Sequence, residues 1–204
     1  MLKGIRNRTP GRAGKALATL VVIGAAGGVA GFGAFSAFSS TTTNAGNSFA
    51  SGTVVLADND ASAAMYQLTN QKPGVTTDKC ITVTYTGSLD ADVRLYSGST
   101  LGTLGPFVNL TVTRGTQATP TFPDCAGFVA DAVSPVLFTG TLAGFTAAHS
   151  DYAIGLATYP TALSKWTSAA GTVAYKFSVG VKDDNAAQGL TTGSHDFVWQ
   201  ARNQ

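Results

Sequence analysis

From residue 49 onward the chain reads as short stretches of alternating apolar and polar residues, separated by Gly, Pro, Asn and Asp. Side chains alternate between the two faces of a strand, so a period of two marks a strand with one buried and one wet face. Residues 171–184 (GTVAYKFSVGVKDD) carry the longest such run, with Val173, Tyr175, Phe177, Val179 and Val181 on one face. Residues 79–87 alternate Cys80, Thr82, Thr84 and Thr86 against Ile81, Val83 and Tyr85, and residues 92–98 and 107–115 repeat the pattern. Further strands are predicted at 53–58, 63–70 and 135–145, with a last one at 194–202. Residues 116–134 are punctuated by Pro and Gly and predict a long loop, and 150–170 fit no template, with Pro160 ruling out a long helix. Eight to ten short antiparallel strands at this spacing predict an all-β, two-sheet antiparallel sandwich of jelly-roll type.

Composition agrees with the strand reading. All 11 acidic residues of the 204-residue chain are Asp; there is no glutamate, a good helix former, while the β-branched Thr is abundant. Charged residues make up only 12%, against the roughly 25% usual in globular proteins, which excludes a disordered polyelectrolyte. Periodicity shows no internal repeat and no second composition class, so residues 49–204 are expected to form one domain.

The N-terminal segment follows a different logic. Lys3, Arg6, Arg8, Arg12 and Lys15 precede an uncharged, Gly- and Ala-rich stretch over 16–38. A basic start, an apolar middle and small residues at its end describe a secretory signal peptide over 1–37, cut between Ala37 and Phe38. A retained transmembrane anchor is the alternative, because about 20 apolar residues span a bilayer. Residues 38–48 (FSSTTTNAGNS) lack the pattern needed to pack on their own domain and are expected to form an extended N-terminal arm.

Removing the signal changes the electrostatics. Five of the 13 basic residues leave with it, so eight face 11 Asp, a net charge of −3. The precursor's +2 and pI of 8.6 therefore belong to the signal and give no reason to expect nucleic acid as a partner. Export also bears on the two cysteines: in an oxidising compartment a lone pair is most simply a disulfide, here Cys80 to Cys125. The alternative is a buried free Cys80 with an exposed Cys125.

Candidate chemistry is sparse. With no Glu and only His149 and His195, a His-Glu-x-x-His zinc helix is impossible, although both histidines could meet Asp151 or Asp196 in space. No Gly-x-Ser-x-Gly nucleophile elbow occurs. Asp58-Asn59-Asp60 and Asp183-Asp184-Asn185 lack the spacing of a calcium loop and read as Asx turns. The sequon at Asn109-Leu110-Thr111 falls within a strand. No catalytic residue, metal site or cofactor is predicted.

Three stretches resemble the TasA and camelysin proteins, exported through a dedicated signal peptidase. They are the junction over 32–56, with Phe49, Gly52 and Thr53 in a Phe-x-x-Gly-Thr pattern; residues 68–89, with a Leu-x-Asn-x-Lys-Pro-Gly turn before a strand; and, more weakly, the closing DDNAAQG and FVWQA. The resemblance implies a secreted, extracellular or cell-surface jelly roll that polymerises head to tail into biofilm-matrix fibres. The arm, including Phe38, Thr42, Asn44 and Phe49, would be donated as a strand to the next subunit, with accessory matrix proteins or the cell surface as further partners. The same family contains casein-cleaving metalloproteases, the second function it implies. The cysteine pair and the low charge depart from its better-known members.

Overall fold

The computed structural model describes residues 51–160, 163, 165–167 and 171–203. The expected signal peptide, its expected cleavage point at Ala37–Phe38 and the expected arm with Phe38, Thr42, Asn44 and Phe49 lie outside them.

Nine strands occur among the described residues: β1 (Leu56–Asp58), β2 (Thr76–Tyr85), β3 (Ala91–Tyr96), β4 (Val108–Gln117), β5 (Phe128–Ala130), β6 (Val136–Thr141), β7 (Leu156–Ala157), β8 (Thr172–Val181) and β9 (Val198–Asn203). Six form one antiparallel sheet in the order β1-β2-β8-β4, with β5 and β6 sharing the far side of β4; the other three form β7-β3-β9. The chain is thus the expected all-β, two-sheet antiparallel sandwich. β8, late in the chain, inserts between β2 and β4 while β3 pairs with β7 on the opposite sheet, which is the interleaving of a jelly roll.

The core follows from the alternation. Ile81, Val83 and Tyr85 of β2, Val173, Tyr175, Phe177 and Val179 of β8, and Leu110 and Val112 of β4 are all buried, facing Ala91, Val93 and Leu95 of β3. Aromatic edges join the layers: Tyr175 and Phe177 meet Trp199 at 5.7 and 6.0 Å between ring centroids, and Phe177 meets Phe197 at 4.7 Å. Thr84 and Thr172 share a hydroxyl hydrogen bond of 2.8 Å on the outer face, the wet side that alternation predicts.

Cys80 and Cys125 are bridged, with Cα atoms 5.0 Å apart. The bond fastens a strap. After β4 the chain runs to the outer edge of β2, where the Pro123 carbonyl accepts from Cys80 N–H at 3.0 Å, and then returns to pair β5 with β4. Gln117 Nε2 braces the strap from within, donating to the carbonyls of Asp124 and Ala126 at 2.9 and 3.0 Å. Lys176 lies 5.6 Å from the centroid of the Phe128 ring. This cover explains why Cys80, Thr82 and Thr113, all on the outer face, are buried. Gly115 is required here, since a Cβ would run into the Val129 carbonyl and the Phe128 ring.

Several expectations are corrected. Residues 63–70 form no strand: Ala61, Ser62 and Asn70 take left-handed backbone angles (φ 50°, 65° and 52°) that turn the chain at both ends, and Met65, Tyr66 and Leu68 pack on the core without pairing. The strand expected over 135–145 stops at Thr141, whose hydroxyl accepts from Gly144 N–H at 3.0 Å and caps helix α1 (Leu142–Ala148). Leu142 and Phe145, three apart, are the buried residues of that helix, a helical spacing hidden inside an apolar run. The first strand shortens to Leu56–Asp58, and the 116–134 loop contains β5.

Candidate functional site

The sequence-predicted chemistry disperses. His149 packs against Phe138 and Phe145, its Nδ1 2.7 Å from the Ile154 carbonyl, while His195 packs against Tyr66 and Phe197. Phe145 and Phe197, themselves in contact at 5.6 Å, stand between the two histidines. Both are half-buried and packed on aromatic rings. Asp151 accepts from the N–H groups of Ala153 and Ile154, and Asp196 is exposed. Among the described residues no three His, Cys, Asp or Glu side chains group closely enough to hold a metal ion.

The acidic clusters are turns, as expected. Asp58 accepts from Asp60 N–H at 3.1 Å, Asp60 from Ser62 N–H at 2.6 Å, and Asn59 from Thr82 N–H at 2.9 Å, which pins the turn to β2. Partial burial raises the Asp58 pKa, the backbone bond from Asp60 opposes this, and the neighbouring Asp60 side chain adds to it. Asp184 accepts from Ala186 N–H at 2.8 Å and caps a single 3₁₀ turn, Asn185–Ala187.

Two features remain that could act on something outside the chain. The first is a cavity of about 620 Å³ between the inner face of the large sheet, at Ile81 and Val179, the strandless segment over 60–71, and the run leading into β9. Tyr66 Oη and His195 Nε2, 129 residues apart in sequence, meet in its wall at 2.6 Å. No local motif could have announced that pair. Burial raises the Tyr66 pKa far above its ordinary value, and it does the same at Tyr175, whose hydroxyl donates to the Thr158 carbonyl at 2.5 Å.

These phenols make a testable pH dependence. Each is held neutral in the fold beyond pH 10, where an unfolded tyrosine already ionises. The stabilisation is therefore complete below about pH 10 and is lost as pH rises toward the folded values. In an alkaline titration followed by tyrosinate absorbance, Tyr66 and Tyr175 should ionise only together with the loss of near-ultraviolet circular dichroism. Ionisation of all six tyrosines with the dichroism intact would contradict this.

The second feature is an edge. The outer edge of β2 is closed by β1, by the Pro123 carbonyl at Cys80 and by Asn59 at Thr82. β7 is two residues long, and β9 carries Arg202, whose guanidinium carbon lies 3.9 Å from the centroid of the Tyr152 ring. β6 differs: it pairs with β4 on one side and, among the described residues, with no strand on the other. It contains no charged residue. Val129, Val133 and Val136, on or beside this edge, are the most exposed large apolar residues described, at 64%, 63% and 52% of full accessibility. A long, uncharged, apolar edge is what soluble proteins ordinarily protect.

The disulfide is of the type that forms in oxidising compartments, and among the described residues no helix is long and apolar enough to cross a membrane. The chain matches no protein-family model and no curated protein.

Proposed function

We propose that the protein is an exported structural subunit, not an enzyme, that polymerises head to tail into extracellular or cell-surface filaments. The N-terminal arm of one copy adds as a strand beside β6 of the next. The observation that carries this reading is the β6 edge, which pairs with no further strand among the described residues, is uncharged and has three exposed valines on or beside it. The resemblance of the junction over 32–56 to TasA-type proteins supports it independently. Strand addition draws affinity from main-chain hydrogen bonds and specificity from alternate side chains. Arm and edge are different surfaces, so the contact is heterologous, and one that fails to close yields a filament.

The energetics demand most of the arm. Residues 38–48 reach about 36 Å when extended, more than the roughly 20 Å of a six-residue strand. Edge hydrogen bonds contribute about 0.5–1.5 kcal/mol each, and burying a Phe such as Phe38 or Phe49 about 1.5–3 kcal/mol. Together these exceed the cost of ordering the arm only when pairing is nearly complete. Deleting residues 38–48 should therefore leave a folded monomer, while the processed full-length chain forms filaments visible by electron microscopy. Thr139→Lys, which puts a charge on the acceptor edge, should suppress filaments with the arm intact. Filaments from the deleted chain would remove the arm from the mechanism, and undiminished filaments from Thr139→Lys would remove the edge.

A further inference from the structure

The cavity under segment 60–71 has walls and a rim of different chemistry. Met65, Leu68, Leu104, Phe122, Leu142 and Trp199 give it apolar and aromatic walls. Its volume of about 620 Å³ lies within the range of small-molecule sites, which combine such walls with a few fixed polar groups. Tyr66 and His195 form one polar point, already satisfied by their mutual hydrogen bond. The remaining ionisable groups among the described lining residues are both carboxylates, Asp60 and Asp196, with no Lys or Arg among those residues. Lys79 lines a separate, smaller pocket with Ala64, Leu68 and Pro123. An anionic head would therefore meet two like charges here, whereas an ammonium would meet two opposite charges in a cavity also lined by the aromatic rings of Tyr66, Phe197 and Trp199.

We infer that the cavity binds an apolar molecule bearing a primary or quaternary ammonium head, with its body against Leu104, Leu142 and Trp199 and its head at Asp60 and Asp196. The two carboxylates select the ammonium head, and the volume and the apolar side chains of the wall admit the body. An aliphatic amine fills part of the space without breaking the Tyr66–His195 bond. The site is independent of the β6 edge and of filament formation.

Octylamine, octanol and octanoate present one apolar body with three heads. Titrated by calorimetry into the full chain, above the ordinary titration range of histidine, octylamine should bind about tenfold tighter than octanoate, with octanol between them. Asp60→Asn combined with Asp196→Asn should bring amine and carboxylate within about twofold. Leu68→Trp, which fills the cavity from its roof, should weaken all three by about tenfold; Leu104→Phe fills it from another wall if the first variant does not fold. Binding of none of the three, octanoate equal to or tighter than octylamine, or affinities untouched by both filling variants would each overturn the assignment.

Discussion

Replacing both Cys80 and Cys125 by Ala should lower stability by about 2–5 kcal/mol, read as a fall in the urea midpoint with little loss of strand content. The bridge closes a 45-residue separation, for which the loop-entropy account gives about 4 kcal/mol through the unfolded state alone. The folded state adds a second reason. The strap is fastened to the sheet by the bridge, by the Cys80 N–H to Pro123 bond and by Gln117. Once the bridge is gone, these few bonds must hold it against its conformational entropy, and its partial release wets Thr82 and Thr113, which it keeps buried. Amide exchange in the double variant should therefore quicken at the N–H of position 80 well before global unfolding, while the β8 amides stay protected. Equal protection in the oxidised protein and the double variant would show that the strap is held by packing and that the bridge acts only on the unfolded chain.

How much of this was legible depended on whether the physics was local. β2, β3, β4 and β8 were readable because each is long enough for alternation to appear and each buries one face; the observed limits differ from the pattern by one to three residues. The bridge was readable because two cysteines allow one pairing. The failures share a cause. In residues 63–70 the alternation is real, and Met65, Tyr66 and Leu68 do pack inward, but a strand also needs a neighbour to receive its backbone, and left-handed residues at both ends steer it from any. At 142–145 an apolar run permits strand or helix, and the Thr141 cap decides for helix. The Tyr66–His195 contact, the cavity and the bareness of the β6 edge are products of tertiary arrangement. β6 could be foreseen as a strand, but its place at the edge depends on which strands the chain inserts on the other side of β4.

That edge depends in turn on one buried charge. Arg114 lies on the inward face of β4, where alternation would place an apolar residue, and its side chain is only 7% exposed. Its Nε donates to Asp131 Oδ2 at 2.6 Å and its Nη1 to the Tyr159 carbonyl at 2.6 Å, while its own N–H and carbonyl bond to Pro135 O and Asp131 N. One residue thus ties β4 to the turn between β5 and β6 and to the segment after β7. Removing one partner of a buried pair strands the other charge away from water, whereas replacing both costs much less. Arg114→Met should therefore destabilise the fold by about 3–5 kcal/mol, and Asp131→Leu by a comparable amount. The double variant Arg114→Met with Asp131→Leu should recover part of the loss, with a coupling of about 1–3 kcal/mol in the double-mutant cycle. Because Asp131 anchors the turn that carries Val133 and joins Val129 of β5 to Val136 of β6, either single change should also loosen the β6 edge and reduce filament formation at temperatures where the fold still holds. Additive losses in the cycle would mean that Arg114 is retained for its packing alone, and the edge would then need another anchor.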